Sequence, residues 1–315
     1  MSSISSWRAS SPTANPTAHQ AETGVRVSDE WIIGIIGGSG LSEGLALEEA
    51  QEIEIRSPFG EPSGPVTLGR IGHVRVAFLA RHGKGHRVPP SQVNYRANID
   101  VLKRARVTDV LALSAIGSLR EEIEPGQFVA VDQFIDRTTS RENSFFGPGC
   151  VAHVSLADPV CPRLAKHAGD AAKAAGAALH RGGTYVAIDG PQFSTRAESR
   201  LYRAWAGDVI GMTGMPEARL AREAELPYAM LGMVTDYDSF RDDQEGVDIT
   251  DVLKVMQANS KTAAKTVAEL CRALPEKREP VPIDTALEHA IITARDIRDS
   301  ELVAKLDAVA GRVLK

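Results

Sequence analysis

The chain lacks several features that would assign it directly to a class of protein. It has only three cysteines, Cys150, Cys161 and Cys271, which are too few and too scattered for a disulfide framework or a zinc site. No apolar stretch approaches the roughly 20 residues that a membrane-spanning helix requires. The formal net charge of −5 argues against a nucleic-acid-binding protein, because such proteins usually present a basic face. We therefore expect neither a membrane nor a nucleic acid among its partners.

The two ends of the chain differ in composition from its middle. Residues 1–28 are rich in Ser, Thr, Ala and Pro and lack the apolar core of a signal peptide, which predicts a disordered N-terminal extension and a cytoplasmic protein. The stretch PEKREPVP at 275–282 is rich in proline and charge. We predict an N-terminal extension (1–28), one main domain (29–274), and a linker with a C-terminal helical appendage (275–315).

Strand-like and helix-like segments alternate along the main domain. Short apolar runs predict strands, and apolar residues at helical spacing predict helices. This alternation is typical of an α/β fold with a central mixed sheet flanked by helices. The predicted strands are 31–37, 65–71, 74–80, 108–115, 127–133, 184–188, 208–211 and 228–235, and the predicted helices are 91–106, 160–176, 195–206, 216–225 and 249–273.

The glycine-rich segment IIGIIGGSGL at 32–41 is typical of a ligand-binding loop or of a structural turn. Its spacing does not match a dinucleotide-binding fingerprint, since the next glycine after Gly40 is Gly44. The following segment, ALEEAQEIEIRS, alternates like an exposed strand and does not complete a crossover helix. Backbone N–H groups and the Ser39 hydroxyl at a strand end suit phosphate better, with a structural turn as the alternative.

The loop RHGKGH, directly after a predicted strand, carries groups that bind oxyanions. An arginine fork matches the oxygens of phosphate, but taken alone Arg81 and His82 are as well explained by a salt bridge or a surface cluster. Three hydroxyl residues at other predicted strand ends, Ser39, Ser114 and Thr213, favour a phosphate site, since ligands collect at the carboxyl ends of strands. A phosphohistidine enzyme is the weaker alternative, because no second histidine has an obvious partner.

Two aspartates, Asp236 and Asp238, follow the last predicted strand. Such a pair can bind a metal, perform acid–base chemistry or cap the next helix, and a lone pair is most simply a cap or a salt bridge. A hard metal would require further carboxylates at the other strand ends, which carry few. Facing a purine edge, the pair would accept a hydrogen bond from an exocyclic amine and, when protonated, donate to a ring nitrogen.

Nine segments together resemble, in order, the 5′-methylthioadenosine phosphorylases of the trimeric purine nucleoside phosphorylase superfamily. The resemblance runs from about residue 31 to about residue 273. It implies a single-domain purine nucleoside phosphorylase-like fold and a reaction in which inorganic phosphate attacks the ribose and the purine leaves. The segments are GIIGGSGL, SPFGEPS, LARHGKGH, PSQVNYRANI, SAIGSLREEIEPG, DQFIDRT, DGPQFSTRAES, GMTGMPEARLARE and VTDYD.

The resemblance also implies partners and site residues. The substrates are a purine nucleoside and phosphate, no cofactor is needed, and the protein is a homotrimer or a dimer of trimers. Asp236 and Asp238 are the catalytic pair, with Asp236 the general acid toward purine N7. The implied phosphate ligands are Ser39, Arg81, His82, Ser114, Ala115 and Thr213, and the implied nucleoside-binding residues are Phe193, Met212, Asp236, Asp238, Ile249, Val252, Leu253 and, from a neighbouring subunit, His153.

The sequence departs from the family pattern at a few positions. Asp189 stands where a glutamate is usual, which leaves the support of the base pocket in question, and Gly211 replaces a frequent asparagine. Serines at 39 and 114 replace threonines but keep the hydroxyl. The segment RVPP at 87–90 differs near the ribose 5′ region, where specificity can change.

Alternative functions remain open from the sequence. A 5′-fluoro-5′-deoxyadenosine phosphorylase has similar motifs. The resemblance places Ile249, Val252 and Leu253 in an apolar wall around the 5′ substituent, and this wall and the RVPP segment are where specificity can change. A 6-oxopurine or methylthioinosine phosphorylase is disfavoured, because an ionised Asp236 repels a carbonyl O6. A nucleosidase that uses water is disfavoured by the intact Arg81–His82 loop, and a non-catalytic nucleoside-binding protein by the complete set of polar strand ends.

Overall fold

The computed structural model describes residues 28–42, 44–242 and 247–314, leaving aside the side chains of Ser39 and Ser42. The predicted N-terminal extension, apart from Ser28, therefore lies outside the described residues. The strands are β1 (Ile32–Gly37), β2 (Glu48–Ile53), β3 (Val66–Ile71), β4 (Val74–Ala80), β5 (Asp109–Ser118), β6 (Phe128–Val131), β7 (Gln133–Asp136), β8 (Leu179–Arg181), β9 (Thr184–Ala187), β10 (Val209–Gly211) and β11 (Tyr228–Tyr237). The helices are α1 (Ser39–Ser42), α2 (Tyr95–Arg104), α3 (Pro162–Ala174), α4 (Arg196–Ala204), α5 (Gly214–Glu223), α6 (Ile249–Ala273), α7 (Ser300–Lys305) and α8 (Gly311–Leu314).

The strands form one mixed sheet with a parallel centre. β1 pairs in parallel with β4 and β5, and β5 pairs in parallel with β11. β3 and β6 pair antiparallel to β4 and β11, respectively. The predicted α/β fold with a central mixed sheet is confirmed. Because β4, β5 and β11 run in the same direction, their carboxyl ends meet at one edge of the sheet.

The core consists of two apolar layers, one on each face of the sheet. Ile33 and Ile35 of β1 pack in the layer that holds α3 and α6, whereas Ile32 and Ile36 pack in the layer that holds α2 and α5. All six residues of β1 are buried. A strand covered on both faces needs apolar residues at consecutive positions, which explains the run IIGII.

Most of the predicted elements are present in the structure, but β2, β8 and the short α1 are not among those predicted, and several boundaries differ. Helix α6 spans the predicted residues 249–273. Helix α2 begins at Tyr95, not at residue 91, because the Asn94 side chain accepts a hydrogen bond from the Ala97 N–H and so starts the helix there. The single strand predicted at 127–133 is wrong: β6 pairs with β8 and β11, and the separate β7 pairs with β9.

The segment after α6 packs back onto the sheet and its helices. Arg278 is buried and forms ion pairs with Asp109, at the start of β5, and with Asp284. Leu287 and Leu306 are buried in the same layer as α2 and α5. The segment thus contributes side chains to the core, and its regular structure is short turns and the helices α7 and α8.

Candidate active site

A cavity of about 550 Å³ lies at the edge of the sheet where β4, β5 and β11 end. Its walls come from these strand ends, from the segment after β10 and from the first turns of α6. Twelve of the residues expected from the sequence line it. They are Arg81, His82, Ser114, Ala115, Phe193, Met212, Thr213, Asp236, Asp238, Ile249, Val252 and Leu253.

Two expected residues do not join this set. The Ser39 side chain lies outside the described residues, although its neighbours Gly38 and Gly40 both line the cavity. His153 is exposed, is absent from the cavity lining of its own chain, and donates its backbone N–H to the carbonyl of Ala290. The resemblance assigns His153 to the active site of a neighbouring subunit. That assignment stays a prediction, because the structure contains a single chain.

One end of the cavity gathers polar groups that suit an oxyanion. The Ser114 and Thr213 hydroxyl oxygens are 2.9 Å apart and both residues are buried. The Thr213 N–H donates to the Tyr185 hydroxyl at 3.1 Å. A Cβ atom on Gly211 would lie 2.2 Å from that hydroxyl, so a larger residue does not fit there while Tyr185 occupies this place. The glycine that replaces a frequent asparagine therefore makes room for a tyrosine that holds Thr213.

The Arg81 guanidinium is buried at this end and is held by a carboxylate that sequence reasoning missed. Its Nε and Nη2 donate to the two oxygens of Glu217 at 2.8 and 3.0 Å. Burial alone would lower the pKa of Arg81, but the Glu217 carboxylate outweighs it and the pKa is raised. The only sequence feature that could have predicted a buried role for Glu217 is its charge directly after the apolar start of GMTGMPEARLARE.

His82 lies beside Arg81 and is neutral near pH 7. Burial and then the Arg81 charge lower its pKa to about 4. Its Nδ1 lies 2.9 Å from the carbonyl oxygen of Val88, and because a carbonyl only accepts, Nδ1 carries the hydrogen. The ring stacks on His86, with 4.2 Å between ring centres. Neutral His82 therefore presents Nε2 as an acceptor.

The other end of the cavity holds the aspartate pair. The Thr235 hydroxyl donates to Asp236 at 2.6 Å. Burial raises the pKa of Asp236 to about 6 despite that hydrogen bond, and the Asp238 charge adds to the rise. Burial also raises the pKa of Asp238, although the hydroxyls of Ser199 and Ser194 oppose it. Within the described part of the chain, Asp238 Oδ2 is buried and makes no hydrogen bond of good geometry, and the nearby Ser194 and Ser199 hydroxyls make none either. The pair thus offers one carboxyl that is partly protonated near neutrality and one unsatisfied acceptor.

The loop that carries Phe193 is held by Asp189, the residue that departs from the family pattern. The Asp189 carboxylate accepts from the N–H and the hydroxyl of Thr139 at 3.0 and 2.9 Å. Arg141 donates to the carbonyl oxygens of Ile188 and Asp189, both at 3.0 Å. The shorter acid therefore still fastens this loop, through the segment after β7.

Met212 packs closely beneath the same loop. A Cβ atom on Gly190, whose φ is +64°, would lie 2.3 Å from the Met212 sulfur. Glycine is required at this position both by the backbone conformation and by the close approach of Met212. Met212 thus lines the cavity as an apolar side chain that is closely packed against this loop.

One wall of the cavity, called the α6 wall below, is apolar and is formed by residues of α6 together with Met233 of β11. Val252 is buried, whereas Ile249 and Leu253 keep 56% and 51% of their surface exposed. Met233 and Met256, which are not among the site residues expected from the sequence, also line the cavity. Flexible methionine side chains fit irregular apolar groups.

Two features are absent from the described residues. No group of three or more His, Cys, Asp or Glu side chains in residues 28–42, 44–242 and 247–314 is arranged to hold a metal ion. In the same ranges, no helix is long and apolar enough to cross a membrane.

The sequence and the structure are similar to known phosphorylases. Residues 32–272 match the phosphorylase superfamily. The S-methyl-5′-thioadenosine phosphorylase of Bradyrhizobium diazoefficiens is 57% identical over 90% of this chain and 98% of its own length, and that of Cereibacter sphaeroides is 54% identical over 90% and 99%. A methylthioadenosine phosphorylase from an antarctic soil metagenomic library has a similar structure, with a TM-score of 0.82 at 42% identity over 90% of this chain and 99% of that one. A variant of the Schistosoma mansoni adenosine/methylthioadenosine phosphorylase, solved in complex with methylthioadenosine, has a TM-score of 0.70 at 36% identity over 77% and 91%. The chain therefore belongs to the phosphorylase superfamily and, within it, to the methylthioadenosine phosphorylases.

Proposed function

We propose that the protein catalyses the phosphorolysis of 5′-methylthioadenosine, or of a closely related 5′-deoxy-5′-substituted adenosine, by inorganic phosphate. The products are adenine and the 5-substituted ribose 1-phosphate. The observation that supports this most strongly is that one cavity joins an oxyanion end, with Arg81, Ser114 and Thr213, to a purine end with the half-buried Asp236 and the buried Asp238.

The oxyanion end positions phosphate against the ribose. Arginine and hydroxyl donors bind phosphate oxygens, and a bound phosphate stabilises the positive charge that grows on the ribose as the glycosidic bond breaks. Holding both reactants in line lowers the barrier without any covalent intermediate on the protein. A neutral His82 accepts a hydrogen bond at Nε2 from a protonated phosphate oxygen, and it donates only after it gains a proton.

The purine end assists departure of the base. Adenine leaves more easily when N7 is protonated, and Asp236, with its pKa raised to about 6, is the group that carries a proton there. The second oxygen of Asp236 accepts from the exocyclic amine, and the unsatisfied Asp238 Oδ2 is a further acceptor beside it. A carbonyl at that position would leave these oxygens without a donor, so adenine is preferred to hypoxanthine.

Further properties belong to the same proposal. No metal or organic cofactor takes part, because phosphate and the aspartates supply the chemistry. The protein acts in the cytoplasm as a homotrimer or a dimer of trimers, in which His153 serves the 5′ end of a neighbouring site. In support, Ile249 and Leu253 at the cavity wall are exposed on the single chain.

A substrate panel with and without phosphate tests the proposal. We expect adenine release from methylthioadenosine only when phosphate is present, with slower turnover of adenosine and much slower turnover of methylthioinosine. Equal adenine release without phosphate would identify a nucleosidase. Nucleoside binding without adenine release would identify a nucleoside-binding protein. Faster turnover of 5′-fluoro-5′-deoxyadenosine than of methylthioadenosine would identify a 5′-fluoro-5′-deoxyadenosine phosphorylase.

A further inference from the structure

A buried carboxylate behind the oxyanion end makes no contact with the cavity itself. Glu217, on α5, is only 2% exposed and is absent from the cavity lining. Its two oxygens accept from Arg81, and one of them also accepts from the Tyr228 hydroxyl at 2.9 Å. Any influence of Glu217 on a ligand therefore passes through Arg81.

The donors of Arg81 can be counted. A guanidinium has five N–H donors in a fixed plane. Nε and one hydrogen of Nη2 are used by Glu217, and one hydrogen of Nη1 is used by the carbonyl oxygen of Leu113 at 3.3 Å. One N–H remains on each terminal nitrogen. The remaining Nη2 donor points away from Glu217, and together with the remaining Nη1 donor it can bind two phosphate oxygens as a fork.

The contacts of Glu217 also fix the plane of this fork. Arg81 follows β4, Glu217 lies on α5, and Tyr228 is the first residue of β11, so three separate elements hold one carboxylate–guanidinium pair. A bidentate pair of this kind has a single geometry, whereas a single hydrogen bond would let the guanidinium rotate. The alternative is a purely structural ion pair that holds α5 against the sheet.

We propose that Glu217, anchored by Tyr228, is a positioning residue that aims the free fork of Arg81 at phosphate. The inference rests on the proposed function, in which phosphate is the attacking substrate. Glu217 does not touch substrate; it sets the orientation of the group that does.

The test is the Michaelis constant for phosphate in Glu217→Gln, compared with that for methylthioadenosine. Both Glu217 oxygens accept from Arg81, so the NH₂ group of a glutamine faces an Arg81 N–H in either orientation of the amide. Two donors repel each other, and the guanidinium therefore turns away. We expect the phosphate KM to rise about 10- to 100-fold, as misplacement by about 1 Å does elsewhere, while the nucleoside KM changes less than about threefold. Tyr228→Phe, which removes one hydrogen bond and leaves the ion pair, should raise the phosphate KM by a smaller factor.

Glu223→Gln is the matched control. Glu223 is a second buried carboxylate on α5, and it accepts from Ser144 and from the Phe145 N–H, away from the cavity. Its replacement should leave the phosphate KM unchanged. Equal effects of Glu217→Gln and Glu223→Gln would show a structural role only, and a lower phosphate KM in Glu217→Gln would show that Glu217 merely neutralises Arg81. Either result overturns the inference.

Failure of the proposed function and misfolding of Glu217→Gln can both be distinguished from failure of the positioning role. If the unaltered protein releases adenine without any dependence on phosphate, the proposed function fails before the variants are made. If Glu217→Gln does not fold, Tyr228→Phe decides the question: a selective rise in phosphate KM supports the positioning role, and an unchanged value overturns it.

Discussion

The oxyanion end of the cavity and its apolar α6 wall are built in different ways. At the oxyanion end, Arg81, Ser114 and Thr213 are buried and held by other side chains of the same chain. At the α6 wall, Ile249 and Leu253 are more than half exposed. The oxyanion end is held by contacts within one chain, and the α6 wall is open to solvent.

The oxyanion end and the α6 wall therefore contribute differently to function. A preorganised oxyanion end fixes the type of reaction, because its donors are in place before phosphate arrives. An open apolar wall only favours one 5′ substituent over another. The resulting difference in kcat/KM between substrates is much smaller than the loss of activity that follows when a polar contact is removed. Mutations should therefore have their largest effects at the oxyanion end, intermediate effects at the aspartates, and the smallest effects at the α6 wall.

Replacement of Arg81 should have the largest effect. Arg81→Ala removes two donors to phosphate and leaves the buried Glu217 without its cation, so we expect kcat/KM for phosphate to fall about 10³-fold and stability to fall by roughly 3–5 kcal/mol. Steady-state kinetics at varied phosphate and chemical denaturation measure the two effects. Arg81→Lys keeps the charge but not the fork, and unchanged phosphate kinetics in both variants would remove Arg81 from the site.

Replacement of Asp236 should have an intermediate effect. Asp236→Asn can still donate to N7 but cannot transfer a proton, so we expect kcat for methylthioadenosine to fall about 10²-fold. Because an amide can also donate to O6, the preference for methylthioadenosine over methylthioinosine should narrow. Asp238→Ala should affect turnover less. If the pair is only a helix cap, both variants will lose stability and keep the base preference.

The pH profile sharpens the same test. The protonated form of Asp236 is populated below its pKa of about 6, so kcat/KM for the nucleoside should decline as the pH rises through about 6. Asp236→Asn should lack this decline. A decline that persists in Asp236→Asn would assign it to another group, such as phosphate itself.

Replacement at the α6 wall should have the smallest effect. Leu253→Ser makes the wall more polar, and we expect the ratio of kcat/KM for methylthioadenosine to that for adenosine to fall about tenfold or less. Ile297→Ser is the control, because Ile297 is also exposed but lies in the C-terminal segment away from the cavity. A protein that prefers the 5′-hydroxyl before any mutation would contradict the assigned role of Val252 and Leu253.

Local sequence predicted the elements that bring these residues together. Buried apolar runs such as β1 and the long pattern of α6 carry their own periodicity, so their bounds were close to those observed. The division of 127–133 into β6 and β7 was missed, because it depends on which neighbouring strand each half pairs with. Pairing partners lie far away in the chain and leave no local signal.

What the sequence by itself determined is the family, the strand ends and the chemical groups placed there, since these are properties of short segments. What only the tertiary structure decided is how those groups are held and charged. Glu217 meets Arg81 across 136 positions of the chain, and the hydroxyl of Tyr185 explains Gly211 across the gap between two strands. The raised pKa of Asp236 likewise follows from burial, which arises only when the chain has folded. Distances and desolvation depend on packing, and packing brings together residues that the sequence keeps apart.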